Sequence, residues 1–250
     1  MTAAIQLAGV AKRFGARQVL AGVDLAVESG QSLVIIGGSG TGKSVLLKTI
    51  LGLIPIDAGS IRVDGQPVNG LKGAALAAHR QRIGMLFQGG ALFDSLNVWR
   101  NVSFALAGSA ASRRAAAIDN LARVGLGAEV ADLKPSEISG GMMKRVALAR
   151  AIAARPPILF FDEPTTGLDP INAARINNLI RTLVRDLKIT ALTITHDMAS
   201  VRAIADRVAM LHGGRIIWQG PLDALDTCDN DFVRQFVTGS ADGPIQAAVR

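Results

Sequence analysis

QSLVIIGGSGTGKSVLLKTI, residues 31–50, holds the reading on which the fold turns. Its opening, SLVII, is a short apolar run rich in β-branched residues, the pattern of a strand buried on both faces. Glycines end the run, and after Lys43 the spacing of Leu46, Leu47 and Ile50 predicts a helix. Between strand and helix, GGSGTGKS fits G-x-x-x-x-G-K-[ST] through Gly37, Gly42, Lys43 and Ser44, in the setting that motif requires. The glycines let successive main-chain N–H groups wrap a polyphosphate, Lys43 reaches its β- and γ-phosphates, and the Ser44 hydroxyl can coordinate Mg²⁺.

Outward from this loop the same grammar repeats. PPILFFDEP and KITALTITHD read as buried strands, each followed by a helix, and the alternation implies a mostly parallel sheet covered by helices. Two regions depart from it. The opening, IQLAGVAKRFGARQVLAGVDLAVESG, and the later GSIRVDGQPV carry period-two stretches and Asp-Gly or Gly turns, which predict a small antiparallel sheet. Residues 97–153 read as almost continuous helix with breaks near Gly108, Gly125, Gly127 and Pro135, an inserted helical subdomain. The domain expected is 1–239, and the tail at 240–250, SADGPIQAAVR, shows no core-forming pattern.

The strand ends carry the polar residues. ILFF delivers Asp162 to the end of a buried strand, where a carboxylate is costly unless it faces a cation or its water shell. Glu163, one residue on, can face an attacking water and accept its proton, although adjacent acids also serve as helix caps. His196 ends the strand TALTITHD, on the same sheet edge as the loop if the strands are parallel; it either contacts a γ-phosphate or is a satisfied core histidine. Gln88 closes RIGMLFQ, and its amide either orients Mg²⁺ or water or satisfies a loop.

A second anion-binding helix start follows in SEISGGMMKR, residues 136–145. Glycine weakens helices, so two of them after a serine, directly before MMKRVALARAIAA, point to exposed N–H groups rather than to helix stability. One domain thus carries two such starts, which a single polyphosphate does not need.

Composition limits the alternatives. With 250 residues and 49% hydrophobic content the chain can bury a substantial core. No stretch approaches about 18 apolar residues and MTAAIQLAGVAKRF is not patterned as a secretory signal, so a soluble, cytosolic chain is expected. Cys228 is the only cysteine, which excludes an intrachain disulfide and a thiolate cluster, and His79, His196 and His212 lack metal-ligand spacing. The net charge of +7 is spread over helical segments, with only 4% aromatic residues, and reads as solvated helix faces rather than a nucleic-acid surface.

GGSGTGKS, Gln88, SGGM, ILFFDE, TGLD and His196, in this order and over nearly the whole chain, resemble the nucleotide-binding domain of an ABC transporter. The resemblance implies a P-loop NTPase core of mostly parallel sheet and helices, an antiparallel β-subdomain and an inserted helical subdomain. It implies ATP and Mg²⁺ as cofactors, with ATP held by Phe14 stacked on adenine and by Gly37, Gly38, Ser39, Gly40, Thr41, Gly42, Lys43, Ser44 and Val45. Glu163, His196, Lys43 and Gln88 would be catalytic, Ser44, Gln88 and Asp162 would serve the metal, and Asp169 would lie in a loop communicating between sites. It also accounts for the second helix start. In this family two ATPase subunits pack head to tail, and Ser139, Gly140, Gly141 and Met142 would act on the ATP of the partner subunit. Phe14 replaces the commoner tyrosine, which stacking tolerates, and Met142 replaces a glutamine, which removes an amide.

MLFQGGALFDSLNVWRNV, SEISGGMMKRVALARAI, FDEPTTGLDPI and RQFVTGSADGPI together resemble the ATPase subunit of the bacterial Mla phospholipid transport system more narrowly. That resemblance implies a homodimer peripheral to the cytoplasmic face of the inner membrane. Its partners would be a transmembrane permease, a mammalian-cell-entry lipid-binding protein and, in many members, a STAS-domain protein. Importers of polar amino acids share the core motifs and are the alternative. DNA- or ribosome-associated ABC ATPases carry coiled coils, zinc modules or paired ATPase domains that this sequence does not show, so no nucleic-acid partner is expected.

Overall fold

The computed structural model describes residues 3–246. They divide into two compact units, one drawn from residues up to 69 together with those from 194 onward, the other comprising residues 70–193. The first unit begins with β1 (Ala3–Phe14), β2 (Arg17–Glu28), β3 (Ser32–Ile36), α1 (Lys43–Ile50), β4 (Ala58–Val63) and β5 (Gln66–Pro67). Strands β2, β1, β4 and β5 form, in that spatial order, the antiparallel sheet expected from the period-two opening. Alternate residues such as Ile5, Val10, Val23 and Val27 are buried, as a half-solvated sheet requires. Every residue of β3 is buried.

The chain continues through the second unit as α2 (Gly73–Gln81), β6 (Ile83–Leu86), α3 (Val98–Val102), α4 (Ala110–Arg123), α5 (Gly140–Ala153), β7 (Ile158–Asp162) and α6 (Pro170–Asp186). Then β8 (Thr190–Ile194) leads back to the first unit. Strands β6 and β7 pair in parallel, and α6 buries Ile176, Ile180, Leu183 and Val184, one stripe of a 3.6-residue period. Helix α5 is the interior helix of its unit, with Val146, Ala147, Leu148, Ala149, Ala151 and Ile152 all buried.

Residues 97–153 are less continuously helical than their sequence suggests. Between Val124 and Ser139 only two short 3₁₀ turns form, Ala128–Val130 and Pro135–Glu137. The reason is competition for carbonyls. The N–H groups of Val98 and Trp99, at the start of α3, take the carbonyls of Leu133 and Ala131 at 2.8 and 2.9 Å, so that stretch is spent capping a neighbouring helix. Pro135 then removes a donor where a helix would need one.

After β8 the first unit is completed by α7 (Met198–Ile204), β9 (Arg207–His212), β10 (Arg215–Pro221) and α8 (Asp231–Thr238). Strand β9 runs parallel to β3 and antiparallel to β10. The tail, patternless in sequence, is ordered through one side chain. Gln235 donates to the carbonyls of Ser240 and Ile245 and accepts from the Ile245 N–H at 2.6 Å. Residues 247–250 of that tail lie outside the described residues.

Buried Asn101 organises the loop that follows Gln88. It accepts from the Phe93 N–H at 2.7 Å and donates to the carbonyls of Phe93, Leu96 and Asn97 at 3.1, 3.1 and 3.2 Å. Asn101→Leu keeps the volume and leaves those groups unpaired, so unfolding free energy should fall by roughly 3 kcal/mol. Urea denaturation checks this, and the midpoint should drop with the slope unchanged.

Candidate functional site

In the first unit the motif residues sit where β3 stops and α1 starts. Gly37 has φ 151° and Gly42 φ 106°, and a Cβ on Gly37 would lie 2.4 Å from the carbonyl oxygen of Leu211 on β9. Only glycine lets the loop lie this close to β9. The Lys43 ammonium is buried and donates to the carbonyls of Gly37 and Gly38 at 2.6 and 2.9 Å, and the Thr41 hydroxyl donates to Gly38 at 2.9 Å. These bonds turn two of the loop's carbonyls, those of Gly37 and Gly38, back onto its own cation. Helix α1 begins at Lys43 with no side chain capping it and no acidic residue in its first turn, so its positive end is open to an anion. Ser39, Gly40, Ser44 and Val45 complete this turn.

Two further expected residues are brought to the same place within this unit. The β1–β2 hairpin approaches the loop, Arg17 donating to the Gly40 carbonyl at 3.4 Å, and Phe14 beside it is 47% exposed with the Lys12 ammonium 5.5 Å from its ring centroid. Thr195, past the end of β8, donates to the Ile35 carbonyl of β3 at 3.2 Å, which sets the exposed His196 one residue beyond the edge from which the loop springs. Asp197 fixes the turn by capping α7 through the N–H groups of Ala199 and Ser200.

The second unit holds the other residues. Asp162 and Glu163 end β7 and are both buried. Glu163 has φ 49°, a left-handed conformation rare for a residue with a side chain, and Thr166 reaches its carboxylate at 3.4 Å. Backbone strain at a buried carboxylate is an observation that points to function. Gln88 lies two residues beyond β6 rather than at the strand's end. Its main-chain carbonyl accepts from the Lys144 ammonium of α5.

Ser139 caps α5, its hydroxyl accepting from the Met142 N–H at 3.3 Å, so one orphan donor of that helix start is used internally. Ser139 and Gly140 are exposed, and a Cβ at Gly140 would meet nothing within 4 Å. Asp169 caps α6, accepting from the N–H groups of Ile171 and Asn172 at 3.0 Å each. The Asn172 main-chain and side-chain bonds hold its carboxyl below the ordinary aspartate range.

The residues that sequence reasoning passed over are Lys144 and Arg150. Both lie on α5 among positions whose neighbours are buried, and a lysine on the stripe of Ala147, Leu148 and Ala151 was the available signal.

With this geometry in hand, likeness to known proteins is extensive. Residues 20–166 match the family model described as ABC transporter. MlaF of Escherichia coli, the ATP-binding protein of an intermembrane phospholipid transport system, is 40% identical over 235 residues, 92% of this chain and 87% of its own. The probable ribonucleotide transport ATP-binding protein mkl of Mycobacterium tuberculosis is 38% identical over 249 residues, 98% of this chain and 69% of its own. The methionine import ATP-binding protein MetN of Rhizobium etli is 44% identical over 219 residues, 86% of this chain and 60% of its own. Among solved structures, a dimeric post-hydrolysis state of the ATP-binding cassette MJ0796 with ADP and Pi superposes with a TM-score of 0.80. It shares 32% identity, over 87% of this chain and 98% of that one.

The close approach of Gly37 to β9 makes a direct test of the loop. Gly37→Ala should lower unfolding free energy by about 3 kcal/mol and weaken binding of a fluorescent ATP analogue on the order of tenfold or more, because the loop must move to admit a methyl group. Chemical denaturation and a fluorescence titration read the two effects separately.

Proposed function

The chain belongs to the ABC transporter family, whose fold is the P-loop NTPase cassette, and from that premise we propose that it powers phospholipid transport between the inner and outer membranes of a bacterium. ATP binding and hydrolysis come with the family. The lipid reading is supported above all by the extent of the likeness to MlaF, of which the chain spans 87%, against 69% of mkl and 60% and 71% of two MetN proteins. Amino-acid import is the second reading, favoured by the 44% identity to MetN.

In this reading Phe14 stacks on adenine, and Lys43 exchanges its two loop carbonyls for the β- and γ-phosphates. The N–H groups of residues 37–45, with Gly38, Thr41 and Val45 among them, hold the polyphosphate chain. Ser44, Gln88 and Asp162 offer a hydroxyl, an amide and a carboxylate, hard oxygen donors suited to Mg²⁺, which would neutralise phosphate charge when bound. Glu163 takes the proton of the attacking water, and His196 donates to the γ-phosphate. Ser139, Gly140, Gly141 and Met142 close over the ATP of a second copy, and Asp169 carries the state of one site to the other. In this reading a separate permease supplies the membrane path, with the ATPase pair peripheral on its cytoplasmic face; among the described residues no helix is long and apolar enough to cross a membrane. A mammalian-cell-entry protein and a STAS-domain protein are the further partners of this reading.

Purification of the tagged full-length chain from its native membranes tests the cargo. A co-purifying permease with bound phospholipid, and slowed phospholipid exchange in a deletion strain, are the expected results. Lost methionine uptake with normal phospholipid exchange would replace this reading with the import one. For catalysis, Glu163→Gln should keep ATP affinity and slow steady-state hydrolysis roughly a hundredfold or more, since the amide retains the shape and loses the base.

The head-to-tail arrangement has its own test in a mixed dimer of Lys43→Ala and Ser139→Arg chains. Both defects fall in one composite site and the other site is whole. ATP trapped at one site per dimer is expected, and trapping no greater than in either mutant homodimer would refute the arrangement.

A further inference from the structure

Helix α5 carries two cations toward a loop that has turned its carbonyls inward. The buried Lys144 ammonium is bonded to the Gln88 carbonyl, and the Arg150 guanidinium, six residues on, donates to the carbonyls of Gly90 and Ala91 at 2.7 Å each. The loop is shaped for this. The Gly90 N–H returns to the Phe87 carbonyl at 2.8 Å, and Gly90 and Ala91 both have left-handed φ, 74° and 47°. Carbonyls 88, 90 and 91 therefore face one helix.

We propose that Lys144 is a positioning residue for ATP hydrolysis, tying the main chain at Gln88 to helix α5. The inference rests on the roles of Gln88 and Glu163 put forward above. Burial depresses the Lys144 pKa below the ordinary lysine value, and Asp162 and then Glu163 oppose that shift through space. The same ammonium pairs with the Gln88 carbonyl.

The consequence is mechanical. Ser139 begins α5 and Lys144 lies five residues along it, roughly 7.5 Å of rigid helix. A displacement of the Ser139 end is carried by Lys144 to the main chain of Gln88. Arg150 braces the far side of the same loop, so the loop follows α5 rather than hinging on it.

Full-length chains assembled with their partners provide the test, with ATP as the probe. Lys144→Met preserves the length of the side chain and removes its charge. It should lower kcat on the order of tenfold, with KM for ATP and analogue affinity within about twofold, because the lost interaction positions groups rather than binding nucleotide. The Lys144→Met, Gln88→Ala double variant should be no slower than Gln88→Ala alone, since both act through one loop. An unchanged kcat in Lys144→Met, or losses that multiply in the double variant, would overturn the proposal. If Lys144→Met does not fold, Lys144→Gln, which keeps a donor without the charge, is read by the same two criteria. Glu163→Gln separates the levels. Near-normal hydrolysis in that variant overturns the catalytic reading itself, whereas abolished hydrolysis there with normal kcat in Lys144→Met overturns this inference alone.

Discussion

The carbonyl oxygen of Leu211 occupies the space that a side chain at residue 37 would need. That close approach between a loop and the end of β9 shapes the loop more than any attractive contact does. With residue 37 confined to glycine, the chain can leave β3, turn within a few residues and enter α1 with its N–H groups outward. The buried Lys43 ammonium completes the arrangement by drawing the Gly37 and Gly38 carbonyls inward. A glycine loop that draws two of its carbonyls onto its own lysine is preorganised for an anion. A helix with neither cap nor acid at its start adds to the same field.

The second unit solves a different problem, the burial of negative charge. Asp162 and Glu163 lie at the end of a strand whose other residues, Ile158 through Phe161, are all apolar and buried. The Lys144 ammonium of α5 acts on both acids through space, and the backbone at Glu163 is left-handed. Family resemblance accounts for the acids and for the glycines after Ser139. The lysine that holds the Gln88 carbonyl is a property of how α5 packs.

Much of this was legible in the linear chain because the controlling interactions are local. SLVII, ILFFD and TALTI are strands by composition, and each of the three is entirely buried. Asp169 and Ser139 cap the helices that directly follow them, within reach of side chains three residues away. The antiparallel sheet follows from alternation and from turns at Gly15 and Asp64, again a matter of near neighbours. What misled was equally local in form. Residues 124–139 have helical composition, yet their carbonyls at 131 and 133 are taken by the start of α3, some 30 residues earlier in the chain.

The sequence by itself determined the chemistry on offer: a glycine loop with Lys43 and Ser44, paired acids at a strand end, and a serine and two glycines at a helix start. Residue type and short spacing are sufficient for that, since φ preferences, side-chain charge and capping act over a few bonds. Only the tertiary structure decided how those groups are held. That Gly37 abuts Leu211, that Lys144 and Arg150 turn three carbonyls of the Gln88 loop inward, and that Gln235 secures residues 240–245 all depend on segments far apart in the chain. Such contacts are set by which surfaces the core brings together, and no periodicity or motif along one segment encodes the distance to another.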